Sequence, residues 1–167
     1  YMKKKDYPAA IAAAEDYQKR NPDVVAPLNL LGRVYQESGK VDEARNAFQR
    51  ALALDSADQG ANSYLAQLAL ADNDLVTARN HYRTILAANP NSHQALIQLA
   101  SLDAREGQEK AMVDHLETAM AVAPTALAPR VLLARYYLAN DKPAQVPPLF
   151  ATLDAQQQQR PEVLELM

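Results

Sequence analysis

Apolar and polar positions along this chain recur with one long period. Leu31, Leu65, Leu99 and Leu133 stand 34 residues apart, and each is followed by a small residue, Gly32, Ala66, Ala100 and Ala134. A small side chain at a repeated position lets a neighbouring helix come close. Three further rows keep the same interval: Ala44, Ala78, Met112 and Val146, then Phe48, Tyr82, Leu116 and Phe150, then Ala51, Ile85, Ala119 and Leu153. Within each unit these rows are four and then three residues apart, the apolar stripe of one helical face. Pro22, Ser56, Pro90 and Pro124 close the units, where a proline stops one helix and prepares the next.

Turn signals divide each unit into two helices. Ser38-Gly39, Asp72-Asn73, Glu106-Gly107 and Asn140-Asp141 offer residues that tolerate the left-handed conformation at a helix C-terminus. The pattern therefore predicts helix pairs at 24–38 and 41–54, 58–72 and 75–88, 92–106 and 109–122, and 126–139 and 143–154, preceded by a helix at 8–20. It divides the chain into a partial unit at 1–22, represented by its second helix, and units at 25–58, 59–92 and 93–126. An irregular unit follows at 127–160, and 161–167 opens another. Pro147-Pro148 removes two backbone donors inside the last second helix, so that helix is expected to start late or kink. Gln156 to Gln159 reads as a solvated polar linker. Both ends read as cut, with Tyr1 to Lys5 as the tail of a first helix, and neither carries the polar cap of a free-standing solenoid.

The run Leu30-Leu31-Gly32-Arg33-Val34-Tyr35, followed by Gly39, Ala44, Phe48 and Ala51, resembles the tetratricopeptide repeat (TPR) signature, over essentially the whole chain. Departures are local: Ser56 stands for the usual proline, Met112 and Val146 for the usual alanine. Asp103 occupies a position that is Tyr35 and Tyr137 in the first and fourth units. A half-exposed carboxylate is expected there, and a buried one would need a donor. The resemblance implies an all-α fold, a right-handed TPR superhelical solenoid of antiparallel helix pairs whose first helices line an inner, concave groove. In this register the groove residues are Asn29, Arg33, Gln36, Ser63, Gln67, Gln94, Ser101, Arg105, Val131 and Arg135, a polar and mildly cationic set. Arg and Gln can hydrogen-bond carboxylates, backbone amides or sugar hydroxyls. Ala26, Asn29, Gln94 and Gln98 do not reproduce the Lys/Asn carboxylate clamp of chaperone-binding TPR domains.

Composition narrows the chemistry. The 167 residues are 49% hydrophobic and 6% aromatic, so Ala and Leu supply the apolar half, which suits helices better than sheets. Seventeen Lys and Arg against twenty Asp and Glu leave a charge of −3, without the basic footprint of a nucleic-acid binder. No apolar run approaches the roughly 20 residues that span a bilayer, so no membrane contact is expected of this segment. There is no cysteine, and four glycines make a phosphate cradle hard to build. His81 and His115 stand 34 apart, and Asp114 and Glu117 lie nearby, but a shared ion would be strained and both read as boundary histidines. His93 reads as a surface residue, Lys3 to Lys5 as a solvated charge run, and Tyr35, Tyr64, Tyr82 and Tyr137 as core. No enzyme, metal or cofactor is expected.

The stretches Ala26-Pro27-Leu28-Asn29-Leu30-Leu31-Gly32, Ala123-Pro124-Thr125-Ala126-Leu127-Ala128-Pro129-Arg130 and Pro161-Glu162-Val163-Leu164-Glu165-Leu166 resemble the bacterial TPR lipoproteins of the PEP-CTERM/exosortase type. That likeness implies a scaffold in the periplasm or cell envelope, tied to exopolysaccharide production or surface-protein sorting, although a cytoplasmic location stays open. The expected partner is a protein or peptide in the concave groove, with polysaccharide as another occupant. The alternative is the regulatory TPR arm of a polysaccharide synthase, secretion subunit or glycosyltransferase.

Overall fold

A computed structural model describes residues 6–167. The expectations for Tyr1 to Lys5, including the Lys3 to Lys5 charge run, lie outside the described residues. Eight helices follow one another: α1 (Tyr7–Arg20), α2 (Val25–Glu37), α3 (Val41–Leu54), α4 (Gln59–Ala71), α5 (Leu75–Ala88), α6 (His93–Arg105), α7 (Glu109–Val122) and α8 (Ala128–Ala139). A 3-10 turn (Pro143–Gln145) then leads into three short helices, α9 (Val146–Phe150), α10 (Ala155–Gln158) and α11 (Pro161–Leu164). Among the described residues there is no strand, and no helix is long and apolar enough to cross a membrane. The chain forms two compact units, Tyr1–Ala88 and Asn89–Met167. Within the first, α2 packs on α3 and α4 on α5; within the second, α6 packs on α7 and α8 on α9.

The turns inside the pairs share one mechanism. Gly39, Asn73, Gly107 and Asp141 adopt positive φ of 79°, 58°, 69° and 55°. Each reversal lets the following N–H reach back five residues, Lys40 to the Tyr35 carbonyl (2.9 Å), Asp74 to Ala69 (2.7 Å), Gln108 to Asp103 (2.8 Å) and Lys142 to Tyr137 (2.8 Å). This is the Schellman closure, which satisfies carbonyls that the helix end would orphan. In the fourth turn Asp141 takes the left-handed position, while the Asn140 amide donates to the Tyr136 carbonyl at 2.9 Å.

The predicted rows are the core. Ala44, Phe48 and Ala51, and their counterparts through Val146, Phe150 and Leu153, are all buried. Gly32 shows why its position must stay small: a Cβ there would lie 2.6 Å from the Phe48 ring. Tyr64 and Tyr82 are buried as expected, whereas Tyr35 and Tyr137 are only half-buried, and the Tyr35 hydroxyl donates to Glu15 Oε1 at 3.0 Å.

Pro147-Pro148 acts as expected but with a different sequel. The helix starts at Val146, so both prolines fall in its first turn, where the missing N–H groups have no intrahelical acceptor. It ends after five residues. The glutamine run then departs from the solvated-linker reading. Asp154 and Gln157 form a capping box that starts α10, and the Gln158 amide donates to the Phe150 carbonyl (3.3 Å) and the Leu153 carbonyl (2.9 Å). Gln157 also donates to the Thr125 carbonyl at 3.0 Å. The Gln158 side chain thus reaches carbonyls that the backbone N–H groups of a continuing helix would have met.

Candidate functional site

In the first unit the polar face of α2 meets that of α4. Asn29, Arg33 and Gln36 are spaced four and three residues apart and so share one face of α2; Ser63 and Gln67 do the same on α4. Together with Gly60 they line a cleft of about 400 Å³ whose floor is Phe48 and Tyr64. Those two rings lie 4.4 Å apart between centroids, tilted by 36°. The Asn29 amide donates to Asp58 Oδ2 at 2.9 Å, while Asp58 Oδ1 accepts the Ala61 N–H at 2.7 Å and caps α4. The carboxylate thereby fixes the orientation of Asn29 and holds the two walls together. Asn29 Oδ1 is left buried without a partner among the described residues. Arg33 and Gln36 are exposed along the mouth. A guanidinium, three primary amides and an aromatic floor suit an extended polar segment with a carboxylate or free peptide groups.

The second unit treats the same register differently. Ser101 and Ala104 of α6, Met112 and Leu116 of α7, and Leu132 and Tyr136 of α8 surround a pocket of about 270 Å³. Of the five groove residues expected here, this pocket takes in Ser101 alone, and the Ser101 hydroxyl is already donated to the Ile97 carbonyl at 3.0 Å. Gln94, Arg105 and Arg135 are exposed, and Val131 is half-buried. Outside the pocket lining, Lys142 Nζ donates to Glu109 Oε1 at 3.2 Å and lies 5.7 Å over the Tyr136 ring. The facing Glu109 carboxylate, with burial adding to it, pushes the Tyr136 hydroxyl up to about 12, so the phenol keeps its proton.

One expectation about a polar residue is overturned, and two further buried polar residues escaped the sequence reading. Asp103 is not half-exposed: it has 0% relative exposure, and His115 Nδ1 donates to Asp103 Oδ2 at 2.7 Å, the donor that burial demands. Asn62 and Arg130 also point inward. They fall on the row Leu28, Asn62, Leu96, Arg130, so a polar residue breaking an apolar row was the available signal. The Asn62 amide donates to the Ser56 and Asp58 carbonyls, both at 2.9 Å, and Arg130 Nη2 donates to the Pro124 carbonyl at 2.9 Å and to Thr152 Oγ1 at 3.0 Å. Ser56 and Pro124 are themselves equivalent positions, so each polar residue pins the turn at the start of its own unit's helix pair. Burial pulls the Arg130 guanidinium below its ordinary value. Because both amide hydrogens of Asn62 face carbonyls, its Oδ1 must accept, and His81 Nδ1, 2.8 Å away, carries the hydrogen. Burial holds the His81 pKa below its ordinary value.

Comparison with known proteins agrees with this architecture. Residues 29–93 match the family model described as tetratricopeptide repeat. A curated relative, the tetratricopeptide repeat protein 21 homolog of Caenorhabditis elegans, is 30% identical over 95 residues, covering 57% of this chain and 7% of that protein. The crystal structure of MamA superposes with a TM-score of 0.74 at 18% identity, over 99% of this chain and 95% of that one. A tetratricopeptide repeat protein from Parabacteroides merdae gives 0.77 at 19% identity, over 98% of this chain and 66% of that one. The two superpositions show the fold, an all-α TPR solenoid. The family match and the curated relative add support from sequence for the tetratricopeptide repeat family.

Proposed function

We propose that this chain is a non-enzymatic protein-interaction scaffold and that the cleft between α2 and α4 is a principal contact site for an extended segment of a partner protein. The observation that carries the reading is the gathering of Asn29, Arg33, Gln36, Ser63 and Gln67 in one cleft over an aromatic floor. Repeat arrays use their extended concave surfaces for recognition. A guanidinium at the mouth favours a carboxylate-bearing segment, while the amides can pair with its backbone.

For the setting of this protein we propose the bacterial envelope and a link to exopolysaccharide production or surface-protein sorting, on the strength of the proline-punctuated stretches at 26–32, 123–130 and 161–166. Cell fractionation of the full-length product tests the compartment, and recovery in the cytosolic fraction would overturn it. The cleft is tested by selecting binders from a displayed random peptide library and measuring the best of them by calorimetry. Arg33→Glu is expected to weaken binding at least tenfold with an unchanged melting temperature. Selected peptides that bind this variant as well as the parent chain would remove the cleft from the proposal.

A further inference from the structure

We infer that the pocket between α6 and α8 is an anchor site for one large apolar side chain, carried on a partner segment that bears a carboxylate beside that anchor. The inference rests on the scaffold reading and adds the chemistry of what is bound in the second unit.

The two units differ at matching positions of the repeat. Arg33 and Gln36 of the first unit correspond to Ser101 and Ala104 of the second, and Phe48 and Tyr64 to Leu116 and Leu132. Where the floor of the first unit carries two tilted aromatic rings, the second has two leucines, and Met112 and Tyr136 complete the apolar wall of a pocket of about 270 Å³. That is just below the roughly 300–1,000 Å³ of sites for drug-sized ligands, a size for one inserted side chain. Its wall is apolar apart from a serine hydroxyl already spent on its own helix and the Tyr136 hydroxyl, which is buried facing Glu109. Leu132 keeps 37% of its surface exposed there, a large apolar side chain left facing solvent. Interfaces concentrate their energy where an anchor fills such a pocket and water is excluded around it.

Charge supplies the second half. Arg105 lies one helical turn beyond Ser101 on α6, and Arg135 one turn beyond Leu132 on α8. Both are exposed, and neither is engaged in an ion pair or hydrogen bond among the described residues. An apolar hole flanked by two free guanidinium groups complements an apolar side chain with an acidic neighbour; a basic segment would meet like charge.

The test uses the whole chain, isotope-labelled, titrated with an acetylated and amidated peptide Gly-Glu-Leu-Glu-Gly while backbone amide shifts are followed. Saturable shifts are expected at Ala104, Leu132 and Tyr136. The same peptide with alanine in place of leucine, and one with lysines in place of the glutamates, should each bind at least tenfold more weakly. Ala104→Leu, which narrows the mouth at an exposed position, should cost at least tenfold with an unchanged melting temperature, whereas Arg33→Glu should leave this response alone. Equal binding of the alanine peptide would overturn the anchor, and equal binding of the lysine peptide would overturn the acidic neighbour. Shifts confined to Asn29, Ser63 and Gln67 would overturn this inference and leave the first-unit cleft standing. A response at neither site would count against both.

Discussion

The second helix of the pair at 25–54 and its counterpart after α8 carry the same three packing positions on unlike backbones. In α3, Ala44, Phe48 and Ala51 lie on one face of an unbroken 14-residue helix. In the later unit Val146 and Phe150 sit on a helix of five residues, and Leu153 lies beyond its end, yet their exposures are 1%, 1% and 5%. The apolar row is therefore buried with or without continuous helix. What changes is the source of the backbone's partners: intrahelical bonds in α3, the Gln158 amide in the broken segment. Burial of large side chains outweighs the loss of a few helical hydrogen bonds, because each such bond is worth only about 0.5–1.5 kcal/mol net, against roughly 3–5 kcal/mol lost when a buried aromatic becomes alanine.

This comparison can be broken by experiment. Phe48→Ala and Phe150→Ala should each cost about 3–5 kcal/mol in urea denaturation; a loss below about 1 kcal/mol for Phe150 alone would show that the broken segment contributes no core of its own. Gly32→Leu should cost about 1–3 kcal/mol by overpacking against the Phe48 ring, which is held in place by its tilted contact with the Tyr64 ring. A neutral result would mean that α2 and α3 can move apart freely. Gln158→Ala should cost about 0.5–1.5 kcal/mol by removing the side-chain donor to the Leu153 carbonyl and leaving the Phe150 carbonyl to the Leu153 N–H alone, while Gln49→Ala on the exposed face of α3 should stay within about 0.5 kcal/mol. Equal effects of the two glutamine changes would refute the replacement role of Gln158.

The smallest expected effect is pH-dependent. His81 has a lowered pKa in the folded chain because burial disfavours its charged form. The unfolded chain takes up that proton near the ordinary value of about 6.5, so below this pH it holds more protons than the folded one. Stability should then fall as pH drops from about 6.5 to the folded value. His81→Gln, which can still donate to Asn62, should flatten a plot of unfolding free energy against pH in that window. An unchanged slope would show that His81 is not the group responsible.

Much of the fold was legible in the sequence, for local reasons. The 34-residue period, the helix limits and the four turns rest on propensity, on the spacing of apolar rows and on residues that accept a left-handed backbone, all encoded within one unit. The expected groove was legible only in part. Its α2 and α4 members converge in one cleft, but in the second unit only Ser101 lines the corresponding pocket. Groove membership follows from helical spacing, whereas the lining of a pocket depends on which residues other helices bring to it.

The sequence by itself determined the repeat, the helix pairs and which rows pack. Tertiary structure decided which polar residues went inside and who met them. Asp103 finds His115, Asn62 finds His81, and Gln158 reaches back to Phe150 and Leu153. Each of those pairings depends on a partner brought close by packing, and a buried polar group is tolerable only once that partner is in place.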